Sequence, residues 1–293
     1  MNNYEITEQA YIEAIEKALN TYMEITDPEV TGLTEAMKYS ISCGGKRIRP
    51  ILLLEWCRMC GGDPSDAMPF ACALEMIHTS SLIHDDMPCM DNDDMRRGMP
   101  ACHKRFGENT ALLAGDALPA YGFSIMAESN LPSNIVLKSI KILADATGPI
   151  GMLGGQMMDE ENEKADVKDF SRLEATDLKK TGALIRSACE IGALIGGGTE
   201  EEIKAAIKYG NELGIAFQIQ DDILDVTGDE KLLGKATGSD KVTDKSTYTS
   251  LLGLEEAKKQ AFYHSEEAIK ALSNFDNKEY LETLVRALME RDR

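Results

Sequence analysis

Three aspartates near the end of a long helical pattern are the first residues whose spacing indicates chemistry. Asp221 and Asp225 lie about 40° apart on a helix, and Gln218 and Asp222 share their face. Carboxylates crowded on an inward-facing stripe repel one another and lose hydration unless a cation compensates them. Such oxygen ligands suit Mg²⁺, which binds a few carboxylates together with substrate phosphates. The pattern predicts a magnesium site, and the alternative is a solvated acidic helix end.

Asp85, Asp86 and Asp91 form a second acidic cluster at the end of another helical pattern. His78 is seven residues before Asp85, and Ser81 is four residues before it. These two intervals return to nearly the same side of a helix, so the three side chains share one stripe. The stripe predicts that His78 faces the same site as Asp85.

Asp91 does not fit a straight helix, because it would lie about 240° around the axis from Asp85. Pro88 breaks or kinks the helix, so the chain could bulge and bring Asp91 back beside Asp85. An EF-hand beginning at Asp91 is excluded, because Met95 and Arg96 stand where the fifth ligand and the invariant glycine belong.

Basic residues accompany both clusters. Guanidiniums beside metal-binding carboxylates suit bidentate phosphate binding, and the alternative is a surface salt bridge. The segment GGKRIRP at residues 44–50 combines flexible backbone with three cations but lacks the Walker P-loop pattern. Two acidic clusters and several cations together predict a site for two diphosphates. The candidate cations outside that segment are Arg96, Arg97, Lys180, Lys235 and Lys241.

The elements that must position these residues are predicted to be helices. The 29 alanines against 6 valines, with many Leu, Met, Glu and Lys, form a helical composition, because unbranched side chains lose little rotamer freedom in a helix. With no Ser/Gly/Pro-rich linker, residues 1–293 are predicted to form a single all-α domain. Predicted helices cover 4–23, 33–42, 46–60, 64–86, 108–127, 133–147, 171–195, 200–226, 254–272 and 277–291, with loops at 85–100 and 228–247.

The global charge excludes several classes of function. Acidic residues outnumber basic ones 50 to 31, for a formal net charge of −19, which argues against nucleic-acid binding and against stable attraction to an anionic membrane. A hydrophobic fraction of 43% argues against disorder. No apolar run approaches the roughly 20 residues of a membrane-spanning helix, and the polar start is not typical of a secretory signal.

Seven cysteines are scattered through apolar surroundings. Reduced thiols in the cytosol are therefore expected, and the location is predicted to be cytoplasmic. Cys57 and Cys60 form a lone C-x-x-C pair without a second pair at zinc-site spacing, which favours core packing over metal or redox chemistry.

These motifs resemble the short-chain trans-isoprenyl diphosphate synthases, the bacterial-type farnesyl and geranylgeranyl diphosphate synthases, over nearly the whole chain. The likeness is carried by six motifs in the same order, and the four-residue gap between Asp86 and Asp91 resembles the bacterial and plant form. The motifs are GGKRIRP, SLIHDDMPCMDNDDMRRG, GDAL at residues 115–118, KTGALI at 180–185, FQIQDDILDVTGD and GKATGSDKVTDKSTY.

The resemblance implies an isoprenoid synthase-type helical bundle around a central cavity, usually a homodimer, that uses magnesium, with three ions once substrate is bound. It implies that the metal is held or supported by Asp85, Asp86, Asp91, Asp221, Asp222 and Asp225. The allylic diphosphate would contact Arg96, Lys180, Gln218 and Lys235, and Thr181 is also expected to bind substrate. Isopentenyl diphosphate would contact Lys46, Arg49, His78 and Arg97, and Gly45 is also expected to bind substrate.

The implied reaction is ionisation of an allylic diphosphate, dimethylallyl or geranyl, followed by head-to-tail attack of isopentenyl diphosphate and loss of a proton. Cations stabilise the leaving diphosphate, and the dipoles of Thr181 and Gln218 are expected to stabilise the carbocation. Asp85, Asp86, Asp91, Lys180, Asp221 and Asp222 complete the expected catalytic set. An apolar tunnel must exclude water that would quench the cation.

Product length is expected to depend on the residues four and five positions before the first aspartate. These are Ser81 and Ser80, where farnesyl-forming bacterial relatives often have an aromatic residue at the earlier position. Farnesyl diphosphate is the main prediction and geranylgeranyl diphosphate the alternative. A class I terpene cyclase is disfavoured by Asp225 and Asp229, where Ser or Thr and Glu are expected. A non-catalytic prenyl synthase subunit is disfavoured because no motif acid is missing.

Overall fold

Most of the described chain is helical, as its composition predicts. The computed structural model describes residues 3–165, 169–227 and 246–290. Its helices are α1 (Asn3–Tyr22), α2 (Thr31–Ser42), α3 (Ile48–Met59), α4 (Pro64–Asp85), α5 (Cys102–Phe106), α6 (Glu108–Ala127), α7 (Ser133–Thr147), α8 (Met152–Glu163), α9 (Phe170–Lys180), α10 (Gly182–Ile195), α11 (Glu200–Thr227), α12 (Tyr248–Leu252), α13 (Leu254–Ala271) and α14 (Glu279–Glu290). The prediction of an all-α chain is confirmed.

Short non-α elements complete the described structure. A 3₁₀ turn spans Pro28–Val30, and an antiparallel ribbon joins β1 (Met95–Arg96) to β2 (Met99–Pro100). The ribbon lies in the segment that the sequence predicts to be a loop after Asp85. It brings Arg96 opposite Met99, so the arginines sit at a tight reversal of the chain.

Capping residues set two helix starts as the sequence predicts. The Asp63 carboxylate accepts a hydrogen bond from the Ser65 N–H at 2.8 Å, and α4 begins at the next residue, Pro64. Before α11, the Glu202 N–H donates to the Thr199 hydroxyl at 3.3 Å, and the Thr199 N–H donates to the Glu202 carboxylate at 2.7 Å. This reciprocal capping box satisfies donors that the first helical turn leaves open.

The helix predictions are wrong in two respects: one predicted helix is in fact two, and α5, α8 and α12 are absent from the prediction. The single helix expected over 171–195 is instead the pair α9 and α10, which meet at Thr181. The β-branched Thr181 and the following Gly182 both have low helix propensity. The Thr181 hydroxyl donates to Gln218 of α11, so it does not bond within α9 or α10. Helix α8 is absent from the predicted helices, because its glycines lower helix propensity and mask the pattern.

The chain divides into two compact units. The first contains Met1–Leu54 and Asp63–Ile140, and the second contains Glu55–Gly62 and Lys141–Arg293. The single domain and the central cavity expected from the sequence stay predictions.

In the first unit, α4 packs along α6. Gly122 of α6 lies against Ala73 of α4 so closely that an added Cβ would be 3.2 Å from the Ala73 carbonyl oxygen. Small residues therefore allow the two helices to approach. Helices α1 and α2 pack on the same pair, and the Tyr121 hydroxyl donates to the Tyr22 carbonyl at 2.7 Å.

A buried arginine lies at the centre of the first unit. Arg47 donates to Glu75 at 2.6 Å, to Glu16 at 2.7 Å and to the Ile41 carbonyl at 2.6 Å. The Arg47 side chain is fully enclosed, and its backbone has φ of +49°, in the left-handed region that disfavours side chains. Burial lowers its pKa, but the charge and hydrogen bonds of Glu75 and Glu16 outweigh that effect and raise it overall.

In the second unit, α11 packs between α10 and α13. Gly214 and Gly210 lie against α10, where added Cβ atoms would be 2.9 Å from Gly182 Cα and 2.6 Å from Arg186 Cα. The face of α11 that carries these two glycines therefore contacts a neighbouring helix. Trp56 packs edge-on against Tyr209 and Phe275, with ring centroids 5.6 and 5.3 Å apart.

The C-x-x-C pair belongs to this core. Cys57 is buried, and the pKa of Cys60 is raised to about 12, mainly by burial and further by Glu202 and Cys57. A thiol that stays protonated is a poor nucleophile and a poor metal ligand. All seven cysteines lie within the described residues and none forms a disulfide, so core packing is the interpretation that the structure supports. None of the helices in the described parts of the chain is long and apolar enough to cross a bilayer.

The Arg47 pair gives a stability prediction. Arg47→Met leaves Glu75 buried without its cation, so we expect the free energy of unfolding to fall by about 3–5 kcal/mol in urea denaturation followed by circular dichroism. Arg47→Met combined with Glu75→Leu removes both charges and should recover part of that loss. Equal losses for the single and double variants would show that the ion pair is not what stabilises this region.

Candidate active site

The first acidic cluster lies where α4 ends in the first unit. The Asp91 N–H donates to the Asp85 carbonyl at 2.9 Å, so the chain after Pro88 folds back on the helix end. Asn92 takes a left-handed φ of +54°, which allows the reversal. The structure therefore brings the backbone of Asp91 beside Asp85, in the way that the sequence permitted.

Asp86 is held by Arg96. The buried Asp86 carboxylate accepts hydrogen bonds from Nε of Arg96 at 2.9 and 3.2 Å and from one of its Nη atoms. Burial raises the pKa of Asp86, and Arg96 opposes that shift only in part. The pair fixes the guanidinium next to the acids, with its side chain still 31% exposed.

Arg97 fixes the glycine-rich loop of the GGKRIRP segment. One of its Nη atoms donates to the Gly44 carbonyl, and an added Cβ on Gly45 would lie 2.5 Å from the guanidinium. Gly45 has φ of +133°, so both conformation and space require glycine there. Lys46 follows as an exposed residue.

Arg49 and His78 meet in the same unit. Nη1 of Arg49 lies 3.3 Å from Nε2 of His78, which can accept a hydrogen bond when the imidazole is neutral. Removal from water, then the neighbouring Arg49, Arg97, Arg47 and Arg96, holds the pKa of His78 well below its ordinary value. A neutral imidazole among guanidiniums is ready to gain charge when an anion binds.

The two serines expected to control product length have different environments. Ser80 is buried, and its hydroxyl donates to the Gly115 carbonyl of α6 at 2.7 Å. The Ser81 hydroxyl donates within its own helix, to the His78 carbonyl at 2.8 Å. Ser80 is therefore the one that faces α6.

The second acidic cluster lies at the end of α11 in the second unit. Asp222 accepts a hydrogen bond from the Tyr248 N–H at 2.8 Å and one from the Gln218 amide at 3.4 Å. Gln218 in turn accepts a hydrogen bond from the Thr181 hydroxyl at 3.1 Å. The structure thus links three predicted site residues in one chain of hydrogen bonds, beside the buried Asp225.

Lys180 has a partner that the sequence analysis missed. Its Nζ lies 2.6 Å from the carboxylate of Asp159, which is 9% exposed on α8. Gly155, one turn earlier, lies against the Lys180 backbone, where an added Cβ would be 2.2 Å from the amide nitrogen. The sequence offers one sign of this partner, an acidic residue one helical turn after a glycine pair. Because no helix was predicted there, Asp159 could not be assigned to a helix face.

The donor set suits a divalent metal, although the acids are not gathered into a metal cage. Within the described ranges, no three His, Cys, Asp or Glu side chains converge on one metal position. In both clusters the second aspartate of the pair is bound by the protein, Asp86 by Arg96 and Asp222 by the Tyr248 N–H. Carboxylates that share a helix end fit a hard cation such as Mg²⁺. Lys235 and Lys241 lie outside the described residues.

A helical chain with two helix-end acid clusters and guanidinium-rich loops has the features of helical enzymes that act on diphosphates. The family model described as polyprenyl synthetase matches residues 30–288, and the chain belongs to that family. It is therefore a prenyltransferase that acts on isoprenyl diphosphates.

Individual relatives agree in family but differ in product. Farnesyl diphosphate synthase of Geobacillus stearothermophilus is 46% identical over 267 residues, which cover 90% of this chain and 89% of that protein. The large subunit 1 of the chloroplastic heterodimeric geranylgeranyl pyrophosphate synthase of Arabidopsis thaliana is 45% identical over 271 residues, covering 90% and 72%. The crystal structure of an FPP/GFPP synthase from Zymomonas mobilis superposes with a TM-score of 0.88 at 36% identity, covering 98% and 99%.

The environment of His78 predicts a pH dependence of stability. The folded imidazole resists protonation, while the unfolded one gains a proton below about pH 6.5, so falling pH favours the unfolded chain. His78→Asn should flatten the loss of unfolding free energy between about pH 6.5 and 5.5 by up to about 1.4 kcal/mol per pH unit. Urea titrations at several pH values measure this, with His264→Asn as the control. Equal slopes for wild type and His78→Asn would contradict the prediction.

The Lys180–Asp159 pair predicts an effect on the allylic substrate. Asp159→Asn keeps the side-chain shape but removes the charge that holds Nζ of Lys180, which the resemblance assigns to the allylic diphosphate, so kcat/KM for geranyl diphosphate should fall on the order of 10²-fold. Steady-state kinetics measure this ratio, and Glu160→Gln, which alters an acid beside Lys164 on the same helix, is the matched control. A similar loss in both variants would indicate a general effect on α8.

Proposed function

We propose that this protein makes farnesyl diphosphate by condensing isopentenyl diphosphate with dimethylallyl and then geranyl diphosphate. The observation that carries the proposal is the match to the Geobacillus farnesyl diphosphate synthase across nearly the full length of both chains. Geranylgeranyl diphosphate is the second candidate product. It is favoured by the similarity to the Arabidopsis subunit and by the small residue at Ser80.

The described contacts support assigning the basic residues to two different diphosphates. Arg96, held by Asp86, and Lys180, held by Asp159, would contact the allylic diphosphate together with Gln218. Because each is already fixed by a carboxylate, little side-chain freedom is lost on binding. We assign Lys235 to the same diphosphate from its motif alone.

Isopentenyl diphosphate would be held by the other basic group of the first unit. Arg97 and Gly45 shape the loop, and Arg49 lies against His78. The neutral His78 can take up a proton when the diphosphate binds. The protonated imidazole is then a charged hydrogen-bond donor to the anion. Lys46, exposed at the loop, supplies a further cation.

Members of this family use a divalent metal, and we propose three Mg²⁺ ions with substrate bound. When bound, magnesium neutralises the allylic diphosphate and makes it a better leaving group. Asp85, Asp91, Asp221 and Asp225 would hold the metal directly. Asp86 and Asp222, which are bound by Arg96 and by the Tyr248 N–H, would support the site by fixing their neighbours.

The reaction then needs a charge environment that favours a carbocation. The carbon–oxygen bond of the allylic diphosphate breaks, the double bond of isopentenyl diphosphate attacks, and the released diphosphate accepts the proton. The Thr181 oxygen keeps lone pairs after its hydrogen is donated to Gln218, so its dipole can stabilise the positive carbon.

Assembly and location are further parts of the proposal. We propose a homodimer, supported by Leu112 and Leu113 on α6, which are 45% and 56% exposed although apolar. The word heterodimeric in the name of the Arabidopsis relative makes a different prenyl synthase chain the alternative partner. A cytoplasmic location stays a prediction from the sequence.

The product is tested by incubating the purified protein with isopentenyl diphosphate, either allylic starter and Mg²⁺, and separating the chain lengths by chromatography. We expect mainly the fifteen-carbon product and none without Mg²⁺. Ser80→Tyr places an aromatic ring at the position where farnesyl-forming relatives often have one, so any twenty-carbon fraction should shrink. Ser81→Tyr is the comparison, since Ser81 bonds within α4. A dominant twenty-carbon product from the wild type would overturn the farnesyl assignment.

A further inference from the structure

The last two turns of α4 are attached to α6 by a pair of side chains four residues apart. The Ser80 hydroxyl donates to the Gly115 carbonyl at 2.7 Å. Nε2 of His84 lies 3.3 Å from the Leu112 carbonyl oxygen and 3.6 Å from the Asp116 carboxylate. Because a carbonyl can only accept, the contact with Leu112 requires the proton on Nε2.

Gly115 makes room for the His84 imidazole. An added Cβ at this glycine would lie 2.1 Å from Nε2 and 2.5 Å from Cδ2 of His84, so the ring occupies the space of the missing side chain. Gly122, seven residues later on the same face of α6, meets only Ala73, at 3.2 Å or more. Both glycines lie between α4 and α6, but only Gly115 leaves space for a side chain, that of His84, next to the first acidic cluster.

The position of His84 matters because the acidic turn starts there. Its carbonyl accepts the Met87 N–H at 3.1 Å, and the next carbonyl, of Asp85, accepts the Asp91 N–H at 2.9 Å. The backbone that brings Asp85 and Asp91 together therefore starts at the residue whose side chain is fixed to α6. A shift of the imidazole would be transmitted to Asp85, the next residue, and through the hydrogen bond from the Asp91 N–H to the Asp85 carbonyl it would also reach Asp91.

We propose that His84 is a positioning residue that holds Asp85 and Asp91 in place for the divalent metal, through Leu112, Gly115 and Asp116 of α6. The proposal rests on the proposed function, in which those two acids bind the metal. His84 itself touches neither metal nor substrate in this role. Residues that orient metal ligands typically change metal affinity or activity by about 10- to 100-fold when replaced.

The test is a double-mutant cycle between His84 and Gly115. His84→Ala removes the imidazole, and Gly115→Ala displaces it, so each should raise the Mg²⁺ concentration for half-maximal condensation roughly tenfold. In the double variant the methyl group that Gly115→Ala introduces fills vacated space, so the combined effect should be no larger than that of His84→Ala alone. Gly122→Ala is the matched control and should leave the Mg²⁺ dependence unchanged.

Two further measurements separate positioning from general stability. The KM for isopentenyl diphosphate at saturating Mg²⁺ should be unchanged, and His84→Gln, whose amide N–H can still reach a carbonyl, should retain part of the metal affinity. Independently of activity, the rise in melting temperature given by Mg²⁺ with inorganic diphosphate should be smaller in His84→Ala and Gly115→Ala than in wild type. If His84→Ala does not fold, His84→Gln and Gly115→Ala are compared with wild type instead.

The outcomes distinguish this proposal from the function on which it rests. A lower melting temperature with unchanged Mg²⁺ dependence, or additive effects in the cycle, would overturn the positioning role. An inactive wild type would overturn the proposed function, and the thermal shift with Mg²⁺ and inorganic diphosphate would then decide the positioning role by itself.

Discussion

The enclosed guanidinium of Arg47 is the interaction on which the first unit depends. It connects Glu16 of α1, Glu75 of α4 and the end of α2 at a point where its own backbone takes a left-handed conformation. A buried charge of this kind is tolerated only when its partners are fixed, so the ion network determines the path of the loop that follows Gly44. That loop carries Lys46 and leads into α3, which carries Arg49. One arginine of the GGKRIRP segment is thus structural, and in the proposed function Lys46 and Arg49 are the residues of this segment that would contact substrate.

The same logic explains how adjacent aspartates can share a helix end. Two ionised carboxylates in neighbouring positions repel, and a helix C-terminus adds further negative potential. In the first cluster Arg96 neutralises Asp86, and in the second the Tyr248 N–H accommodates Asp222. The first cluster therefore carries less uncompensated charge than its sequence indicates, whereas in the second a neutral N–H stabilises the Asp222 anion without removing its charge. Asp86 is only 2% exposed, and this burial still raises its pKa.

Periodicity and capping chemistry are local properties, and they predicted the helices that bear the acids. The starts of α4 and α11 follow from Asp63 and Thr199, whose side chains satisfy the first-turn amides. Asp159 was missed because α8 contains glycines that local propensity counts against a helix. Gly155 is there for a tertiary reason, close contact with the backbone at Lys180. The different roles of Arg47 and Arg49 likewise depend on a backbone reversal that residue types alone do not encode.

A chain with a net charge of −19 can bind diphosphates because the field at a site depends on fixed local charges. Arg96 is held by Asp86, with the Asp93 carboxylate 3.7 Å away, and Lys180 is held by Asp159. A free lysine or arginine on an acidic surface would sample many partners, and an anion would have to order it at an entropic cost. A cation already fixed by an acid forgoes some attraction for the diphosphate, but it needs no reorganisation when charge develops on the leaving group. In the proposed function, the acids beside these cations would therefore favour transition-state stabilisation over tight ground-state binding.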